Sequence, residues 1–78
     1  MTETKIMAEL AGRVFLIVVG VGDKVANGQD VAIVEAMKME IPVAAPAAGT
    51  IKSILVKLDD VLTEGQVVAI METQGPAT

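Results

Sequence analysis

The stretch Asp23-Lys24-Val25-Ala26-Asn27-Gly28-Gln29-Asp30-Val31-Ala32-Ile33-Val34-Glu35 returns 37 residues later as Asp60-Val61-Leu62-Thr63-Glu64-Gly65-Gln66-Val67-Val68-Ala69-Ile70-Met71-Glu72. Worked outward, the match runs without a gap from Ala11 to Glu35 against Ala48 to Glu72. Eleven of these 25 pairs are identical, among them Gly12/Gly49, Asp23/Asp60, Gly28/Gly65, Gln29/Gln66 and Glu35/Glu72, and five more keep an aliphatic side chain. Aliphatic chains align with themselves easily, so the Val and Ile matches alone prove little. The Asp-x-x-x-x-Gly-Gln spacing in both halves decides the matter: the chain is two copies of one unit.

In each copy a Gly-rich entry leads into an alternating apolar run, then an acidic turn, a Gly turn and a second apolar run. The pattern predicts strands over Lys5 to Met7, Arg13 to Val19, Lys24 to Val25, Val31 to Glu35, Met39 to Val43, Thr50 to Leu55 and Val67 to Met71. Met1 to Thr4 read as frayed and Gln74 to Thr78 as a tail. With about eight short strands, four from each copy, the expected domain is all-β, a flattened quasi-two-fold barrel or sandwich of two four-stranded antiparallel sheets. Neither copy alone could bury a core. In this reading Asp23 and Asp60 close turns through their own backbone rather than form an acid/base pair.

Between Val31 to Glu35 and Met39 to Val43 the chain must reverse at Met37-Lys38. A two-residue hairpin favours Asn-Gly or Asp-Gly, because a type I′ turn needs positive φ at both central residues. Met-Lys has no such advantage, and the reversal is given to a primary amine; a local rule broken at one isolated place points to strain or function. Displacing Lys38 by the repeat gives Gly75, so Lys38 is expected at one end of the barrel and both termini near the other.

Composition narrows the rest. At 78 residues the chain is one small domain, without Cys or His for a disulfide, a zinc site or a Cys or His nucleophile. Aromatic residues make up 1% of it, the net charge is −4 and the six basic residues are scattered, so the patch and stacking platforms of a nucleic-acid binder are missing. The apolar run Val14 to Val21 falls far short of the roughly 20 residues that span a bilayer, and cleavage after it as a leader would destroy the repeat. It reads as a buried strand of a cytoplasmic protein with no membrane partner.

Ala36-Met37-Lys38-Met39 resembles the attachment motif of the biotin carboxyl carrier family, and the two-unit pattern, with Ala45-Pro46 and Ala48-Gly49 after the lysine, is similar to the biotinyl and lipoyl carrier domains. The resemblance covers about Lys5 to Thr73, and the gapless repeat leaves no room for the thumb that some bacterial carriers insert. It implies a swinging-arm carrier, not an enzyme. Lys38 would take biotin covalently from a biotin protein ligase, with Ala36, Met37 and Met39 around the cofactor and Glu35 and Glu40 recognised by the ligase. Biotin carboxylase and carboxyltransferase subunits of a biotin-dependent carboxylase, acting on an acyl-CoA or a keto acid, would be its partners, and the domain would be monomeric. Glu35 recurs as Glu72 in the half with no equivalent of Lys38, which favours a structural place for it, and the two methionines could equally pack against the barrel end. Two other readings stay open: a lipoyl carrier, though its lysine usually follows an acidic residue and precedes Ala, and an unmodified assembly module.

Overall fold

In the computed structural model, which describes residues 2–73, every regular element is a strand. In chain order these are β1 (Thr2–Met7), β2 (Gly12–Ile17), β3 (Lys24–Val25), β4 (Asp30–Ala36), β5 (Met39–Ala44), β6 (Gly49–Ile54), β7 (Val61–Leu62) and β8 (Val67–Thr73). Each of the last four strands repeats the bounds of one of the first four, displaced by 37 residues. The structural repeat is thus longer than the alignable one: it spans residues 2–36 and 39–73, and Met37-Lys38 is the link between the copies.

Two antiparallel sheets result, sheet A in the order β1-β8-β6-β3 and sheet B in the order β5-β4-β2-β7. The displacement converts one order into the other. Each sheet takes its two central strands from one copy and its two outer strands from the other, so the halves are interlaced. Backbone bonds between turns and strands repeat the exchange: Val14 N donates to Asp60 O and Ile51 N to Asp23 O, while Ala8 N donates to Gln66 O and Ala45 N to Gln29 O. Among the described residues the core cluster holds sixteen buried side chains, and they fall into eight pairs at the same displacement, Val14/Ile51, Val25/Leu62, Val34/Met71 and Ala32/Ala69 among them. Burial of the Val, Ile, Leu and Met side chains contributes about 1.5–3 kcal/mol each and that of the alanines less, and half the cluster would be exposed in either copy alone.

The Asp-x-x-x-x-Gly-Gln motif is explained by its turns. Asp23 Oδ2 accepts from Gly20 N at 2.8 Å and Asp60 Oδ2 from Lys57 N at 2.9 Å. Six residues on, Gln29 Oε1 accepts from Ala26 N and Gln66 Oε1 from Thr63 N, both at 3.0 Å, while Gly28 and Gly65 both take φ 83°. The two aspartates are turn residues, as the repeat predicts.

Most strand ends shift by one or two residues from the sequence reading, and three strands differ in ways that matter. β1 begins at Thr2 rather than Lys5, because the polar run Thr2-Glu3-Thr4 is held by its register with Thr73, Glu72 and Met71 of β8. β2 ends at Ile17, although Val18 N still donates to Val31 O, and the run is not the buried strand expected: Val14 and Val19 are buried, but Phe15, Leu16, Val18 and Val21 are exposed because one face of the sheet meets solvent. β7 has only two residues, too few for periodicity to reveal, but it stands where the repeat places the twin of Lys24–Val25. Met1 and the tail from Gln74 to Thr78, with the Gly75 equivalent of Lys38, lie outside the described residues.

Candidate functional site

β4 sends Ala32, Val34 and Ala36 into the core and Ile33 and Glu35 outward. It is zipped to β5 through six registered pairs, ending at Glu35↔Glu40 and Ala36↔Met39. Only Met37 and Lys38 are then left to turn the chain. Both take left-handed backbone, φ 52° and 64°, which a two-residue type I′ reversal demands and which costs an L-residue about 1–2 kcal/mol. The ladder below imposes this conformation. Gly12 helps by letting β2 close on β4: a Cβ there would lie 2.5 Å from Glu35 O and 2.6 Å from a Val34 methyl.

The hairpin stands at one end of the barrel. β5 descends from it to Ala44, where Val43 and Ala44 share a groove with Met7 and Ala8 at the inner end of β1; from there β1 leads back to Thr2, beside Thr73. Lys38 is exposed and makes no ion pair or side-chain hydrogen bond with any described residue. Met37 is 87% exposed and Met39 64%, so neither packs against the barrel end. Ala36 is buried and supports the turn by packing.

Glu35 is half-buried, and its Oε1 lies 3.4 Å from the Arg13 guanidinium, its neighbour across the β2/β4 ladder. Glu40, its cross-strand partner on β5, is exposed and has no cation of the described residues within ion-pair distance. The equivalent carboxylates at the other end, Glu3 and Glu72, are bridged by Lys52, which bonds Glu3 and lies 3.6 Å from Glu72. The bond to Glu3, then the Glu3 charge and that of Glu72, raise the Lys52 amine above the ordinary lysine value.

Of the residues that the sequence singles out, the structure puts Lys38, Met37 and Met39 at the tip with Glu40 beside them on β5, while Ala36 is buried beneath the turn and Glu35 pairs with Arg13. Sequence reasoning missed Arg13 and Gly12. The identical Gly12/Gly49 pair was a signal for the second; nothing in the sequence pairs Arg13 with Glu35. Among the described residues no group of three or more His, Cys, Asp or Glu side chains could hold a metal ion, and no helix is long and apolar enough to cross a membrane. The site can offer a primary amine to a reagent brought from outside.

Comparison with known proteins gives a consistent picture. The model of the biotin/lipoyl family, described as biotin-requiring enzyme, matches residues 3–71. The biotin/lipoyl attachment protein of Bacillus subtilis (strain 168) is 49% identical over 37 residues, which are 47% of this chain and 51% of that protein. Urea carboxylase of Kluyveromyces lactis superposes with a TM-score of 0.88 at 36% identity, over 92% of this chain and 6% of that one. A single-chain, multi-domain long-chain acyl-CoA carboxylase gives 0.87 at 29% identity, over 92% of this chain and 7% of its own. The match thus spans about half of the curated relative and a small part of each carboxylase. With a family match over nearly its whole length, on an eight-stranded duplicated barrel with an exposed lysine at its tip, this chain belongs to the biotin/lipoyl attachment domain family.

Proposed function

We propose that this chain is a biotin carrier whose acceptor is the Lys38 amine. One observation carries the reading: Lys38 is held at the tip of a turn that its own residue types adopt only at a cost, without an ion-pair partner among the described residues, between two exposed methionines. The donor set fits an amide-linked group, since a primary amine in solvent is all that such a linkage asks of the carrier. Methionine on both sides of the lysine, and carboxylases among the similar structures, support biotin over lipoate.

The chain's own part is limited to presentation. The amine gives up its proton to a base of the biotin protein ligase and forms the amide with the activated acyl group as its adenylate leaves. When bound, biotin supplies a ring nitrogen that can hold a carboxyl group at the end of a long arm. The strand ladder keeps the root of that arm in place, so movement between a biotin carboxylase site and a carboxyltransferase site is nearly intramolecular. The chain contributes no catalytic group to either reaction.

Incubation with biotin protein ligase, biotin and ATP tests this by intact mass. The expected result is one biotinyl group per chain on the wild type and none on Lys38→Arg, which keeps the cation but offers no primary amine. No mass gain under conditions that label another carrier overturns the reading. Modification by a lipoate ligase alone keeps the carrier and changes its cargo.

A further inference from the structure

The two sheets are images of one another, so each is a control for the other, and their outer faces differ. On sheet A, Lys24, Thr50, Glu72 and Glu3 stand in one cross-strand row, and Ser53, Ile70 and Lys5 in the next. The same positions on sheet B read Val61, Arg13, Glu35 and Glu40, then Leu16, Ile33 and Pro42. Lys52, which stands in the β6 bulge and bridges Glu3 and Glu72, is replaced by Phe15 in the β2 bulge. Three lysines of sheet A thus give way to Val61, Pro42 and Phe15 on the sheet that contains the Lys38 hairpin. Phe15 is 44% exposed and Val61 77%, so the apolar side chains are in solvent rather than in a core. Among the described residues Glu40 is left without the cation that its twin Glu3 has.

We infer that the outer face of sheet B is where the enzyme that acylates Lys38 docks, through an apolar surface set against Phe15, Leu16 and Val61 and a cationic side chain set against Glu40. This rests on Lys38 being the acceptor. Charge decides against a second copy as occupant: self-pairing would bring Glu40 and Glu35, two carboxylates against the one Arg13, to a face with the same excess. Reach singles out the acylating enzyme. A lysine side chain extends only a few ångströms beyond its turn, so an enzyme that reacts with Nζ must close on the hairpin and on the sheet continuous with it. Enzymes acting at the far end of an attached arm need not approach so near.

Phe15→Lys, Leu16→Ser and Val61→Lys give sheet B the residues that the same fold already carries on sheet A. Each is expected to raise KM for the carrier in the biotin protein ligase reaction about tenfold, with kcat little changed, and Glu40→Lys to do the same. The mirror variants Lys24→Val and Lys52→Phe are expected to leave both constants unchanged. Thermal melts establish that each variant is folded, and Val61→Lys, on a two-residue edge strand, keeps the test intact should Phe15→Lys unfold. A wild type that the ligase does not label sinks the reading of Lys38 itself. A labelled wild type whose sheet B variants keep its KM overturns only the docking face, as does a wild-type dimer in sedimentation that Phe15→Lys dissolves without altering KM.

Discussion

At one end of the barrel Ala36 and Met39 face each other and are joined by Met37-Lys38; at the other Thr73 and Thr2 hold the equivalent register, and no turn joins them because β1 opens the repeat and β8 closes it. The comparison separates two kinds of residue. Where the copies agree, as at Gly12/Gly49, Asp23/Asp60, Gln29/Gln66 and the eight core pairs, the residue serves the body of the barrel. Where they part, as at Phe15/Lys52 or Val61/Lys24, the body has shown that it accepts either, and the difference calls for another cause.

The largest effect tests the agreement. Gly12→Ala and Gly49→Ala each force a Cβ against a carbonyl of the neighbouring strand, Glu35 O in one copy and Glu72 O in the other. Both are expected to cost about 2–3 kcal/mol in urea unfolding, and a marked inequality would break the equivalence of the two ends. A smaller effect sharpens the difference at the tip. Met37→Asn places a residue tolerant of left-handed backbone where methionine has φ 52°, and should stabilise the fold by about 1 kcal/mol. Measured in the ligase assay, the same variant separates what the methionine contributes to recognition from what it costs the turn.

The smallest effect belongs to the far end. The Lys52 amine is raised in the folded state by Glu3 and Glu72, so its contribution is complete below the ordinary lysine value and is lost as pH rises through the raised one. Lys52→Met should flatten that alkaline limb of the stability profile in pH-dependent melts. Phe15→Met, at the equivalent place in the other copy, should leave it as it was.

The barrel was legible because its signal is doubled. A single weak strand such as Val61–Leu62 carries no periodicity, but its twin fixes its place. The reversal at Met37-Lys38 was legible for the opposite reason: the ladder on either side left two residues for a turn whose backbone neither favours, and both are found left-handed. Asp59, left-handed at 71° in the position equivalent to Gly22, shows that the repeat can also mislead, since a glycine in one copy does not require one in the other. The start of β1 was hidden because Thr2-Glu3-Thr4 has no apolar alternation and is ordered by pairing with β8. The Arg13–Glu35 pair was hidden too, because it depends on a register that only the assembled sheet defines.

The interlaced sheets bear on stoichiometry. Two identical halves could build the same body and would have two indistinguishable tips. A chain that runs through both copies joins them once, between residues 36 and 39, and the joint is where the lysine stands. A body with a two-fold axis thereby acquires a single linking hairpin, and if Lys38 is the acceptor, as proposed, the count of one group per molecule follows from the connectivity of the chain.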